Sequence, residues 1–220
     1  MYHFSVSTML TAVPFILAGV PMTLWISFAA LAIGVLIGLP VGALRTTNIR
    51  AVDTLLGVYV EVFRNTPVLV QIVWFYYVLP ILLHVNLGAV DAGILALGLN
   101  TSAYLAEIFR GGILGIASGQ TEAALSLGFT GVGTMRFVVL PQVTRKMLAP
   151  FVNQFVVLVK DSALVAYIGV LDIMHRGDVV TVQSSRPLEV YTTVAIAYFT
   201  LCFAASRLMR WIEVRFAVPG

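Results

Sequence analysis

Apolar residues run along this chain in blocks far longer than the period of a soluble helix or strand. Each block ends at a short polar or glycine-rich stretch. A bilayer core needs about 20 consecutive apolar residues for one helical span. On that template the chain predicts five spans, at about 21–44, 54–83, 90–110, 147–171 and 189–209, with a short interfacial helix at about 8–18. Pro14 and Pro21 punctuate the first apolar block, and residues 84–88 form a turn. The stretch 172–188 is polar and is expected to be an outer loop.

Two interruptions stand out. The second span carries Glu61, Arg64, Asn65, Thr66 and Pro67 near its start, and Pro67 is expected to kink it because it lacks a backbone donor. Glu61 and Arg64 are three apart and are expected to pair. The fourth span is interrupted by Lys160-Asp161-Ser162. In the first span, Gly34, Gly38 and Gly42 recur every fourth residue, which predicts close packing of helix backbones and nothing more. Trp74, Tyr76 and Tyr77 fit an interfacial aromatic belt.

Composition sharpens this. Of 220 residues 60% are apolar and 10% charged, against about 45–50% and about 25% in an average soluble domain. Exposed patches of that size exclude most soluble enzymes and nucleic-acid readers. The net charge of +3 comes from scattered residues, with Arg145-Lys146 the only adjacent basic pair, so it traces no nucleic-acid stripe. Its placement reports topology instead. Residues 1–44 hold no Lys, Arg, Asp or Glu, which reads as a retained helix with its N-terminus outside. Five spans then put Arg45, Arg50, Arg110, Arg136, Arg145, Lys146, Arg207, Arg210 and Arg215 on the cytoplasmic side. The outer 172–188 stretch holds only Arg176 and Arg186. There is no G-x-x-x-x-G-K-[ST] loop to cradle ATP, no Cys/His cluster at metal spacing and no internal repeat, and lone Cys202 can form no intrachain disulfide. No cofactor, metal or nucleic acid is expected.

Between the third and fourth spans lies a glycine-rich stretch with a short helix, Gln120–Leu127, closed by Gly128 as a C-cap. Here Glu122-Ala123-Ala124, three residues, Gly128, nine residues and Val138-Val139-Leu140-Pro141 resemble the EAA loop, EAA-x3-G-x9-I-x-L-P, of permease subunits of ATP-binding-cassette importers. Only Val138 departs, replacing Ile conservatively. Glu61–Gln71 is similar to the E-x-x-R-x-T-P-x-L-V-Q segment of polar amino acid permeases, and Ala103–Ile113 to their A-Y-x-A-E-x-x-R-G-G-I stretch. Lys160–Leu164 and Arg186–Tyr191 resemble further segments of that family, with Ala163 where Ser is usual.

The resemblance implies an all-α integral membrane protein: one permease domain over 1–220 with the five-helix type I importer fold and a cytoplasmic coupling helix at about 119–133. Its implied partners are a second permease subunit (identical or homologous), two ATP-binding subunits, a substrate-binding protein and membrane lipid. It implies import of polar amino acids across a bacterial cytoplasmic membrane, with ATP hydrolysed by the partners. The expected coupling residues are Gln120, Glu122, Ala123, Ala124, Leu127 and Gly128, with both small alanines allowing close approach to the partner.

Charges and polar groups inside a membrane are costly, which makes them candidates for the transport path. Asp161 and Lys160 lead, followed by Ser162, Asn100, Ser102, Thr66 and Gln71. Seven-residue spacing puts Gln154 and Asp161 on one helix face and Asn153 and Lys160 on another. Glu107 and Arg110 are expected to form a structural pair near the cytoplasmic end.

Overall fold

A computed structural model describes residues 4–47 and 49–216; within α9, defined below, the side chains of Met209 and of residues 212–216, including Arg215, lie outside the description. Among the described residues every element is helical. In order they are α1 (Val6–Leu17), α2 (Val20–Leu44), α3 (Arg50–Asn65), α4 (Val68–Leu83), α5 (Ala89–Leu114), α6 (Ser118–Ser126), α7 (Gly131–Ile168), α8 (Ile173–Ser184) and α9 (Pro187–Phe216). Four stretches are long and apolar enough to cross a membrane: α2, α5, α7 and the Pro187–Leu208 part of α9. The pair α3 and α4 passes the same test together but is bent by 102° at Thr66-Pro67, making up to a fifth.

The centre is the pairing of α2 with α5. Helix α2 is apolar on every side, so hydropathy cannot choose its inner face. Small residues choose it: Thr23, Ile26, Ser27, Ala30, Gly34, Gly38 and Gly42 form its buried stripe. A Cβ on Gly34 would lie 2.8 Å from Thr101 Cγ2, and one on Gly38 would lie 2.6 Å from the Ser102 carbonyl oxygen. A Cβ on Gly42 would strike the Ala106 carbonyl. The glycine stripe is therefore a packing seam, as its spacing predicts. Van der Waals contact at this range drives helix association where lipid removes the hydrophobic drive.

Several elements differ from the sequence expectation. The fourth span begins at Gly131, not near 147, because Arg136, Arg145 and Lys146 lie on its first turns and not in a loop. Pro141 stands in the first turn of the regular α-helical part of this span, Leu140–Asp161. A π-helical turn, Met135–Val139, precedes Pro141, just as another, Trp74–Val78, precedes Pro80 in α4. The wider turn lets the chain pass a residue without an amide hydrogen. Residues 162–168 continue α7 as a 3₁₀ helix, so Lys160-Asp161-Ser162 marks a tightening and not a gap.

The polar stretch 172–188 contains α8 rather than being a plain loop. Asp172 caps it by accepting from the His175 amide at 2.8 Å, and its other oxygen accepts from Tyr198 at 2.9 Å. Helix α1 packs against α8 and α9, where Glu189, fully buried, accepts from the Ser5 amide at 2.9 Å and pairs with Arg186 at 3.0 Å.

The seam gives a direct test. Gly38→Ala, which pushes a methyl group into the Ser102 carbonyl, is expected to cost about 1–3 kcal/mol. Gly119→Ala, with nothing within 4 Å, is expected to cost nothing. Thermal unfolding of the detergent-solubilised protein reads both; equal midpoints for the two variants contradict the seam.

Candidate functional site

The site begins at the break between α3 and α4. Thr66 precedes a proline and is extended, at φ −103° and ψ 139°, the region that residues before proline favour. Pro67 has no amide hydrogen, so the Phe63 carbonyl one turn back loses its helical donor. Two carboxamides replace it: Gln71 Nε2 donates to Phe63 O at 2.8 Å, and Asn100 Nδ2 donates to the same oxygen at 2.9 Å. Gln71 Nε2 also lies 3.1 Å from Thr66 O and 2.6 Å from Thr66 Oγ1, while its Oε1 accepts from Asn100 at 3.2 Å. Thr66 Oγ1 donates to Val62 O at 2.8 Å.

Beside the break opens a cleft of about 430 Å³. Its walls come from Arg64–Val68 of the break, Asn100 and Tyr104 of α5, and Gln154, Val157 and Asp161 of α7. Gln154 and Asp161 share the wall that their spacing predicted. Asp161 is half-buried and has no hydrogen bond or ion pair among the described residues. Arg64 does not pair with Glu61, as expected from their spacing; Glu61 instead accepts from Asn65 at 2.5 Å. The Arg64 guanidinium lies over the Tyr104 ring at 5.3 Å, a cation–π contact that leaves its donors free for a ligand. Both amide hydrogens of Asn100 point to protein acceptors, while Oδ1 accepts nothing from the described residues. The cleft thus offers an acid, a base and a neutral acceptor.

The other expected path residues lie elsewhere. Ser102 is fully buried, donating to Leu99 O at 2.6 Å and bonded to the Tyr59 hydroxyl. Ser162 is fully buried and donates to Val159 O at 2.8 Å. Lys160 is exposed and does not line the cleft; with Asn153 it occupies a different face of α7. Gln71 stands behind the wall. Sequence reasoning set Arg64 aside as a ligand because its i, i+3 partner Glu61 looked sufficient, and it placed Tyr104 on a polar stripe with Asn100 and Glu107. The signal was Pro67, which turns the last turn of α3 toward α5.

At the end opposite to α1 and α8, the expected Glu107–Arg110 pair is present at 3.2 Å, but it belongs to a larger cluster. Arg45, at the end of α2, pairs with Glu107 and also reaches Asp53 of α3 at 3.1 Å. Lys146 Nζ donates to the Gly115 carbonyl at 2.9 Å. The ends of α2 and α5, the start of α3 and the N-terminal half of α7 are tied by these few charges.

Helix α6 carries the EAA residues and is shorter than the expected 119–133, since Gly131–Thr134 already belong to α7. It ends in a Schellman motif: Phe129 N–H donates to Ala124 O at 3.1 Å and Gly128 N–H to Leu125 O at 3.0 Å. Gly128 adopts φ +86°, with free space around it, so backbone conformation and not crowding calls for glycine. Ala123 and Ala124 part company. Ala124 is 4% exposed and packs inward, whereas Ala123, Gln120, Glu122 and Leu127 are exposed. Leu127, Phe129 and Val132 add an exposed apolar edge. Gly128→Ala is expected to cost about 1–2 kcal/mol at this turn. Hydrogen exchange at the Phe129 amide should speed up accordingly, and an unchanged rate contradicts the cap assignment.

The family model for binding-protein-dependent transport system inner membrane components matches residues 34–218. The chain is 35% identical over 217 residues to the glutamine transport system permease protein GlnP of Escherichia coli (strain K12), covering 98% of this chain and 99% of that protein. It is 30% identical over 224 residues to the glutamate/aspartate import permease protein GltK of Escherichia coli O157:H7, covering 99% and 100%. A chain of the crystal structure of an amino acid ABC transporter with histidines superposes with a TM-score of 0.90 at 36% identity, covering 97% of this chain and 100% of that one. A chain of the MetNI methionine ABC transporter in an inward-facing conformation superposes with a TM-score of 0.81 at 23% identity over 93% of this chain and 97% of that one, a likeness of fold. Fold, EAA helix and these matches agree: the chain belongs to the binding-protein-dependent transport system inner membrane components, with the type I permease fold.

Proposed function

We propose that this chain is the permease subunit of an importer that moves polar amino acids across a bacterial cytoplasmic membrane, and that the cleft beside Pro67 is where this subunit holds its cargo. The observation that carries the reading is that two opposite charges, Asp161 and Arg64, line one small cavity and neither forms an ion pair among the described residues. Every amino acid offers an ammonium and a carboxylate. Asp161 is placed to accept from the ammonium, Arg64 to donate to the carboxylate in the forked geometry guanidinium favours, and Asn100 Oδ1 to accept a further hydrogen. Thr66 lines the same wall. Gln71, Ser102 and Ser162 act behind it, and Lys160 serves a face outside it.

The whole chain, 1–220, acts as one transmembrane domain, with its N-terminus outside and its C-terminus cytoplasmic. Two such subunits, identical or homologous, form the path. Two ATP-binding subunits dock on α6 and the turn after it through Gln120, Glu122, Ala123, Leu127 and Gly128, with Ala124 anchoring the helix from within. A substrate-binding protein delivers cargo at the outer face near residues 172–188. The chain needs no metal or cofactor and breaks no bond. ATP turnover in the partners shifts the balance between inward- and outward-open states, which requires that nucleotide bind the two states unequally.

Two measurements test this in proteoliposomes containing the assembled complex. Asp161→Ala is expected to lower uptake from a 13C-labelled mixture of the twenty amino acids about 10- to 100-fold, the range for losing a charge-assisted hydrogen bond; normal uptake contradicts the site. A Cys at Ala123 is expected to crosslink to the ATP-binding subunit and one at buried Ala124 is not. Equal crosslinking at both, or none at Ala123 in an assembled complex, contradicts the docking face.

A further inference from the structure

We infer that Gln71 is a positioning residue: its carboxamide stands in for the backbone hydrogen that Pro67 lacks and, through Phe63 and Asn100, holds the cleft wall in the shape that receives cargo. This rests on the reading of the cleft as the cargo site and assigns Gln71 a role in it without contact.

Gln71 is 7% exposed and is absent from the cleft lining, yet it bonds to three groups of that wall or its support. Its Nε2 bridges Phe63 O, Thr66 O and Thr66 Oγ1, the acceptors left at the open end of α3. Its Oε1 takes one hydrogen of Asn100 while Phe63 O takes another. Asn100 is thereby fixed with its nitrogen toward the protein and its oxygen available to the cleft. Gln71 supplies one of the two acceptors that hold this orientation and also fixes the other, Phe63 O, through its own Nε2, so losing Gln71 loosens the clamp that decides which atom of Asn100 the cargo meets. The same bonds hold the last turn of α3, from which Arg64 reaches Tyr104. One buried side chain therefore sets the positions of the base and the neutral acceptor together. Asp161, on α7, is outside its reach.

The role predicts an effect on all cargo alike. The groups it positions meet the ammonium and carboxylate that every amino acid shares, not the side chains that differ. Gln71→Met keeps the length and loses the amide. In the assembled complex in proteoliposomes, with the 13C-labelled mixture of twenty amino acids as probe, it should raise the half-saturating concentration roughly tenfold or more. The maximal rate per assembled complex and the rank order among amino acids should not change. Gln71→Asn, shorter but still a carboxamide, should recover part of the loss if it assembles. Uptake unchanged per assembled complex overturns the positioning role and leaves Gln71 structural. A changed rank order overturns it in favour of direct contact with cargo side chains. If the wild-type complex takes up none of the mixture, the amino acid reading fails, and hydrogen exchange of residues 62–72 in the complex decides the clamp by itself. Exchange about tenfold faster in Gln71→Met supports it, and unchanged exchange overturns it. The same exchange measurement on Gln71→Asn decides the matter should Gln71→Met fail to assemble.

Discussion

A backbone carbonyl stripped of its donor in the middle of a membrane protein must find another, because lipid offers none and an unsatisfied group there costs several kcal/mol. The Phe63 carbonyl is that group here. Pro67 removes its donor, the chain turns through 102°, and Gln71 and Asn100 supply two side-chain amides in its place. The bend swings α3 away from the line of α4 and leaves a space that α5 and α7 only partly fill. That space is the cleft. Leaving that carbonyl bare would destabilise the bend, and Gln71 and Asn100 answer the hydrogen that the proline lacks.

Clustered charges are also satisfied within the protein. At one end Arg45, Asp53, Glu107 and Arg110 neutralise each other across three helices, and at the other Glu189 is held by Arg186 and the Ser5 amide. These clusters secure helix ends that are otherwise joined by apolar contact. Asp161 and Arg64 are different in kind. Both lie on the wall of one cavity and neither forms an ion pair among the described residues.

Much of the fold was legible because its signals are local. Runs of apolar residues located the spans, the Gly34/Gly38/Gly42 spacing marked a close-packed face of α2 without naming its partner, and Gly128 located the end of α6. The start of α7 was not legible, since basic residues on a helix end look like a loop when hydropathy alone is counted. Nor was α8, whose polar face hides a helix that Asp172 caps. In the site, the seven-residue spacing of Gln154 and Asp161 was enough to put them on one wall. The inward burial of Ser102 and Ser162 depends on which neighbour covers each face of α5 and α7, and the departure of Arg64 from Glu61 depends on the direction of the bend. Neither is encoded within one helix, so a periodicity argument could not reach them.

The central claim is that the cleft beside Pro67 holds an amino acid by its shared polar groups. The most direct test is a structure of the assembled complex with its cargo amino acid bound in the membrane region. The account predicts ligand density in this cleft, with the ammonium within hydrogen-bonding distance of Asp161 and the carboxylate within reach of Arg64. A ligand bound elsewhere along the path, with Asp161 and Arg64 turned to protein partners, would contradict it.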